Sequence, residues 1–193
     1  MDLPLQPFLL SLPSLIYLVV QKIRKQEWAI IFTRLGWRLP DPKYLAAGLG
    51  LGIASGLISF LIPTLLPADV LDQPGIAQSV YSDWTLTIPA FLLAFLREAF
   101  YVALGEEVFF RGFVGRWLYR RFGFTIGNLI QSLIFLLPHL ILLTVSLRLW
   151  PLLIAQLIGG WLFGWLCHQS ESILPGWLAH ALSNTFGAVI FMS

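Results

Sequence analysis

Two carboxylates stand side by side in a largely apolar stretch, Gly105-Glu106-Glu107-Val108-Phe109-Phe110-Arg111. Two histidines fall in other apolar stretches: His139, after Pro138, and His180, four residues before Asn184. Together these residue types suit hydrolysis of a carbonyl compound. A carboxylate can take a proton from water as that water attacks. One imidazole can orient the water or share its proton. A second imidazole and a carboxamide can donate to the developing oxyanion. On a helix, Glu107 and Arg111 are at i and i+4, the acid-before-base order that favours an ion pair. Glu106 then points about 100° away from that pairing. His180 and Asn184 share a face by the same spacing, as do Asn128, Ser132, Phe135 and His139.

Plainer readings of the same residues exist. The glutamates could pair with Arg97 and Arg111 to hold helices together. A histidine inside a membrane more often bonds a neighbouring helix than performs catalysis. His168, beside Cys167, falls at a membrane edge, where an amphipathic ring sits without any chemistry. A hydroxyl or thiol nucleophile is less attractive. Ser183 lies about 100° off the face of His180 and Asn184, and Cys167 has no base on its own face. Glu106, His139 and His180 could instead ligate zinc with an open fourth position, although the compact H-E-x-x-H signature is absent. The spacing alone leaves metal-activated and glutamate-activated water both open.

The elements that must position these residues are membrane helices. The 193 residues are 58% hydrophobic and 11% charged, with a mean hydropathy of +0.80. A soluble domain would carry roughly a quarter charged residues. This composition excludes a soluble globular domain, a disordered tail and a nucleic-acid binder. Cys167 is the single cysteine, which excludes an internal disulfide and a Cys-rich metal site. Uncharged runs long enough to cross a bilayer lie at 44–68, 124–147, 149–170 and 172–193. A shorter one lies at 3–21, where Pro4, Pro7 and Pro13 limit the useful helix. A sixth, 84–117, is apolar at first and then carries Arg97, Glu98, Glu106, Glu107 and Arg111. The expectation is one all-α integral-membrane bundle over 1–193 with about six spans and an active site in a cavity within it.

Basic residues set the orientation. They cluster at 22–43 and 116–123, whereas 67–83 is acidic and has no Lys or Arg. The positive-inside rule places the two basic segments in the cytoplasm and 67–83 outside, with Arg148 a mild exception. The first span is expected to be retained rather than cleaved as a signal. Charges at membrane depth cost about 2.5–3.5 kcal/mol each on insertion scales, so the few inside spans read as functional by default.

The chemical groups also share a depth. If spans three and four turn as a hairpin near 121–123, Glu106 is 16 residues before Phe122 and His139 is 17 after it. At about 1.5 Å per residue, the next two legs bring His180 to within roughly 10 Å of the same level. A carboxylate, two imidazoles and a carboxamide from three spans then converge on one site.

In this order and on separate spans, Glu106-Glu107-x-x-x-Arg111, Phe135-x-x-x-His139 and His180-x-x-x-Asn184 resemble the CPBP or Abi family. That family contains the type II CAAX prenyl endopeptidases and the bacteriocin-processing and self-immunity relatives. Residues 84–193 carry the resemblance, and 1–83 match only as generic spans. The resemblance implies a helical intramembrane endopeptidase. It implies Glu106 as the base that activates water with His139 as partner, His180 and Asn184 as the oxyanion pair, and Glu107 and Arg111 as support. It favours a glutamate-dependent site with no catalytic metal, zinc being the alternative. The implied partner is a membrane-associated peptide or protein, with lipidated CAAX-type chains among the candidates. Two readings from other classes are a non-catalytic membrane scaffold of the same fold and a small proton-coupled transporter. The absence of an internal repeat speaks against the transporter.

Overall fold

Asp41 and Thr87 each start a helix by the same device. The Asp41 carboxylate accepts from the Lys43 amide at 3.0 Å, and the Thr87 hydroxyl accepts from the Ala90 amide at 3.2 Å. Each is followed by a proline in the first turn, where the missing N–H costs no helical bond. In the computed structural model, residues 5–66, 70 and 80–192 are described. They are helical throughout apart from turns, and no strand occurs among them. The helices are α1 (Leu5–Ile23), α2 (Trp28–Arg34), α3 (Pro42–Ser59), α4 (Ile62–Leu65), α5 (Ile88–Arg97), α6 (Leu104–Glu106), α7 (Arg116–His139), α8 (Leu142–Val145), α9 (Trp150–Gln169) and α10 (Leu174–Val189). Two π-helical segments, Glu98–Ala103 and Glu107–Gly115, make α5, α6 and α7 one continuous run. Most of the expected acidic loop 67–83 lies outside the described residues.

The helices are apolar on the outside. Leu92, Leu93, Leu96 and Phe100 on one leg, Leu129, Leu133 and Leu137 on α7, and Ile154, Ile158 and Trp165 on α9 are all exposed. The buried positions include small and polar residues: Ala94, Ala99 and Ala103 on one leg, and Asn128, Gln131 and Ser132 on α7. A surface of this kind is solvated by lipid rather than by water. Among the described residues, two helical runs are long and apolar enough to cross a membrane, 88–145 and 147–169. The expected count of six spans goes beyond what length and apolarity establish here.

Gly123 splits the first run. Its φ of 74° and ψ of 169° are non-helical, and a positive φ of this size suits glycine. The chain doubles back there. A Cβ on Gly127 would stand 2.8 Å from the Leu118 carbonyl carbon. The Tyr119 hydroxyl donates to Asn128 Oδ1 at 3.0 Å, and the Phe110 and Phe135 rings meet edge to face at 5.1 Å. These pairs are nearly equidistant from Gly123, as an antiparallel hairpin requires. The outgoing leg ends at His139, short of the expected 147. Pro138, which withholds one helical N–H, lies in its last turn.

Helix α10, which carries His180 and Asn184, lies closest to α3. Gly48, Gly52 and Gly56 form the contact stripe. Cβ atoms there would meet Pro175 O at 2.5 Å, Ala179 O at 2.9 Å and the Phe186 ring at 2.4 Å. This is the small-residue spacing by which membrane helices bring their backbones together. At one end of the bundle Arg116 donates to Thr33 O at 3.4 Å, Ile173 N to Gly36 O at 3.0 Å, and Ser172 Oγ to Arg38 O at 2.7 Å. An Arg38–Glu171 ion pair joins the same turns. The two basic segments of the sequence therefore meet at one end.

Candidate active site

Glu107 is fully buried. Its Oε1 forms an ion pair with Arg111 Nη1, one turn along its own helix, at 3.0 Å, and accepts a hydrogen bond from His180 Nδ1 at 2.9 Å. Arg111 is buried as well. It is held between the faces of Phe135, at 4.3 Å, and Phe163, at 5.9 Å. A buried guanidinium is stable only when its charge is matched and its faces are covered, and both conditions are met. Cys167 places its thiol 3.8 Å from Glu107 Oε2, so a carboxylate does stand against the cysteine that had no base on its own face. Gly176 lets the backbone of α10 close on this group. A Cβ there would be 2.3 Å from Cys167 Sγ and 3.1 Å from Glu107 Oε2.

Glu106 faces the other nitrogen of the same imidazole, with Oε2 3.7 Å from His180 Nε2. His180 therefore sits between the two adjacent carboxylates, one at each ring nitrogen. Its ring also stacks on Phe163 at 5.5 Å and meets the edge of Phe135 at 6.0 Å. The His139 ring also packs on Phe135, with ring centroids 4.7 Å apart. The Phe135 carbonyl is 2.8 Å from its Nδ1 and accepts that proton. In the neutral ring Nε2 is then the nitrogen without a proton. Glu106 and His180 are only 6% and 4% exposed.

Asn184 does not join this group directly. Its Nδ2 donates to Glu98 Oε2 at 3.2 Å. Glu98 is buried, and its other oxygen accepts from Tyr81 at 2.6 Å and from Arg97 at 2.9 Å. The Arg97 guanidinium also donates to the Tyr81 hydroxyl at 3.2 Å. Arg97 thus pairs with Glu98 rather than with Glu106 or Glu107. Sequence reasoning noted Glu98 as a charge inside a span but gave it no role. A usable signal was a second carboxylate eight residues before Glu106. On an α-helix that spacing leaves the two about 80° apart. The wider i→i+5 turns of Glu98–Ala103 and Glu107–Gly115 change that register, and π-turns of this kind often occur at functional sites.

His168 lies apart. It is exposed and stacks on Phe124 at 4.3 Å. Among the described residues no three His, Cys, Asp or Glu side chains come together as a metal site would need. Two grooves, of about 610 Å³ and about 270 Å³, open on the outer flanks of the bundle, and neither is lined by Glu106, Glu107, His139 or His180.

A carboxylate–imidazole cluster is thus buried among helices with apolar outer faces. Residues 88–186, just over half of the chain, match the family described as Type II CAAX prenyl endopeptidase Rce1-like, and the chain belongs to that family. Membership makes it an integral-membrane protein of the protease class. Glu106, Glu107, Arg111, His139, His180 and Asn184 all fall inside the matched residues. No curated protein and no solved structure matches the chain.

Proposed function

We propose that this chain cleaves a peptide bond of a membrane-associated protein, with Glu106 as the base that activates water. The observation that carries the reading is the placement of His180 between Glu106 and Glu107 in a buried site. Water attacks the scissile carbonyl, and its proton passes to Glu106. His139 orients that water through Nε2. The oxyanion is held by His180 Nε2–H and the Asn184 amide, donors aimed at charge that develops only in the transition state. Because Nδ1–H donates to Glu107, the ring must be doubly protonated to donate from Nε2 as well. Glu107 and Glu106 together offset the charges of that ring and of Arg111, and Arg111 holds Glu107 in place. When the C–N bond breaks, Glu106 returns its proton to the leaving amine.

Lipidated CAAX-type proteins are the substrate class that family membership favours. We place the basic segments 22–43 and 116–123 in the cytoplasm, on about six spans. The test is cleavage of candidate prenylated peptides by the purified protein in detergent or liposomes. Glu106→Ala and His180→Ala should each abolish cleavage while the protein still inserts and folds. Wild-type activity in both variants would show the assignment to be wrong. Dialysis against a strong chelator should leave activity intact. A loss restored by zinc would instead make Glu106, His139 and His180 ligands.

A further inference from the structure

The chain carries one more buried carboxylate than this chemistry uses. Glu98 is 3% exposed and sits in an apolar run where a charge is costly. Arg97 alone would neutralise it, yet Glu98 divides its two oxygens. Oε1 takes Tyr81 and Arg97, and Oε2 takes Asn184. An asparagine amide has two N–H bonds and a carbonyl oxygen that can exchange places by a flip. A carboxylate has no proton to donate, so only the NH₂ end of Asn184 can face it favourably. With one N–H spent on Glu98, the carboxamide orientation is set and the second N–H has a defined direction.

We propose that Glu98 is a positioning residue for the oxyanion donor Asn184, and that Tyr81 and Arg97 lock Glu98 in place. The proposal rests on the peptidase reading above. It explains why a membrane helix keeps a second carboxylate two turns from the first. It also explains why the adjacent segments are π-helical. Those wide turns let Glu98 meet Asn184 while Glu106 and Glu107 meet His180, four residues earlier on α10. The plainer role for Glu98 is to clip the Tyr81 turn onto α5 through Arg97.

Kinetics separates the two roles. Glu98→Ala should lower kcat about 10- to 100-fold with KM little changed, less than the roughly hundred- to thousandfold loss typical when an oxyanion donor is deleted. In the Glu98→Ala/Asn184→Ala double variant, kcat should match that of Asn184→Ala alone, because Glu98 acts through that side chain. Independent losses that multiply would overturn the proposal, as would wild-type kcat in Glu98→Ala. If Glu98→Ala does not fold, Glu98→Gln decides the matter. Gln keeps the shape but has one acceptor oxygen for the two roles, and its NH₂ can face Asn184. The proposal requires Glu98→Gln to lower kcat with KM little changed and to cost nothing further when added to Asn184→Ala; wild-type kcat in Glu98→Gln, or a loss that persists without Asn184, sinks it. Glu106→Ala controls for the underlying reading. Cleavage that persists without Glu106 refutes the peptidase site itself, whereas cleavage that needs Glu106 but ignores Glu98 refutes only this inference.

Discussion

Gly52 offers a direct test of how α3 holds the active-site helix. A Cβ on Gly52 would stand 2.8 Å from Leu182 Cβ, 2.9 Å from Ala179 O and 3.0 Å from Ala179 Cα. These are backbone atoms and a Cβ fixed to the backbone, so no side chain can swing aside. The contact to oxygen is about 0.5 Å short of ordinary carbon–oxygen separation, and Gly52→Ala must push α10 away by at least that much. Overpacking of this kind costs about 1–3 kcal/mol. Alanine recovers roughly 1 kcal/mol through helix propensity, for a net loss of about 0–2 kcal/mol. Gly50 is the internal control, because a Cβ there meets nothing within 4 Å. Gly50→Ala therefore keeps the whole propensity gain. The two variants share that gain, so their difference in stability isolates the clash at about 1–3 kcal/mol. Ala179 adjoins His180, and a 1 Å misplacement can cost about 100-fold in rate. A shift of half that size predicts roughly a tenfold loss of kcat for Gly52→Ala. Denaturant unfolding in detergent micelles and the peptide cleavage assay read the two quantities. Equal stability and equal kcat for Gly52→Ala and Gly50→Ala would refute the reasoning.

Other perturbations have equally definite outcomes. Arg111→Met should destabilise the fold by about 3–5 kcal/mol, because it leaves the Glu107 carboxylate buried without its guanidinium. Adding Glu107→Gln should recover part of that loss, which a double-variant cycle in denaturant would measure. Tyr119→Phe removes the donor to Asn128 Oδ1 and should cost about 1–3 kcal/mol by leaving a buried acceptor unsatisfied. Asp41 caps α3, and the Lys43 amide holds its carboxyl below the ordinary value of 3.8. A lowered folded-state pKa stabilises above the unfolded value and is lost as pH falls through the folded one. The melting-temperature deficit of Asp41→Ala should thus be full at pH 7 and shrink as pH drops below 3.8; a deficit unchanged with pH would contradict the cap's charge.

The amino-acid order by itself determined the class of protein and nominated the residues proposed for the site. In lipid a backbone is satisfied within helices or a closed barrel, and uncharged runs of about 20 residues select helices. Against that background the few charges inside apolar runs stand out, as Glu106, Glu107 and Arg111 do. The Glu107–Arg111 pair was legible because i, i+4 neighbours meet on any helix. The hairpin was legible because basic residues and Gly123 mark its turn. The Gly48, Gly52 and Gly56 stripe also lies in plain sight at a spacing of four, though its meaning depends on finding Pro175, Ala179 and Phe186 opposite. Tertiary structure alone decided which partner each group takes. His180 and Asn184 share a helical face, yet the first meets Glu106 and Glu107 and the second meets Glu98. That division depends on where two long glutamate side chains reach once π-turns alter the helix register. Register and reach of this kind come from packing between segments far apart in the chain, which local spacing does not encode.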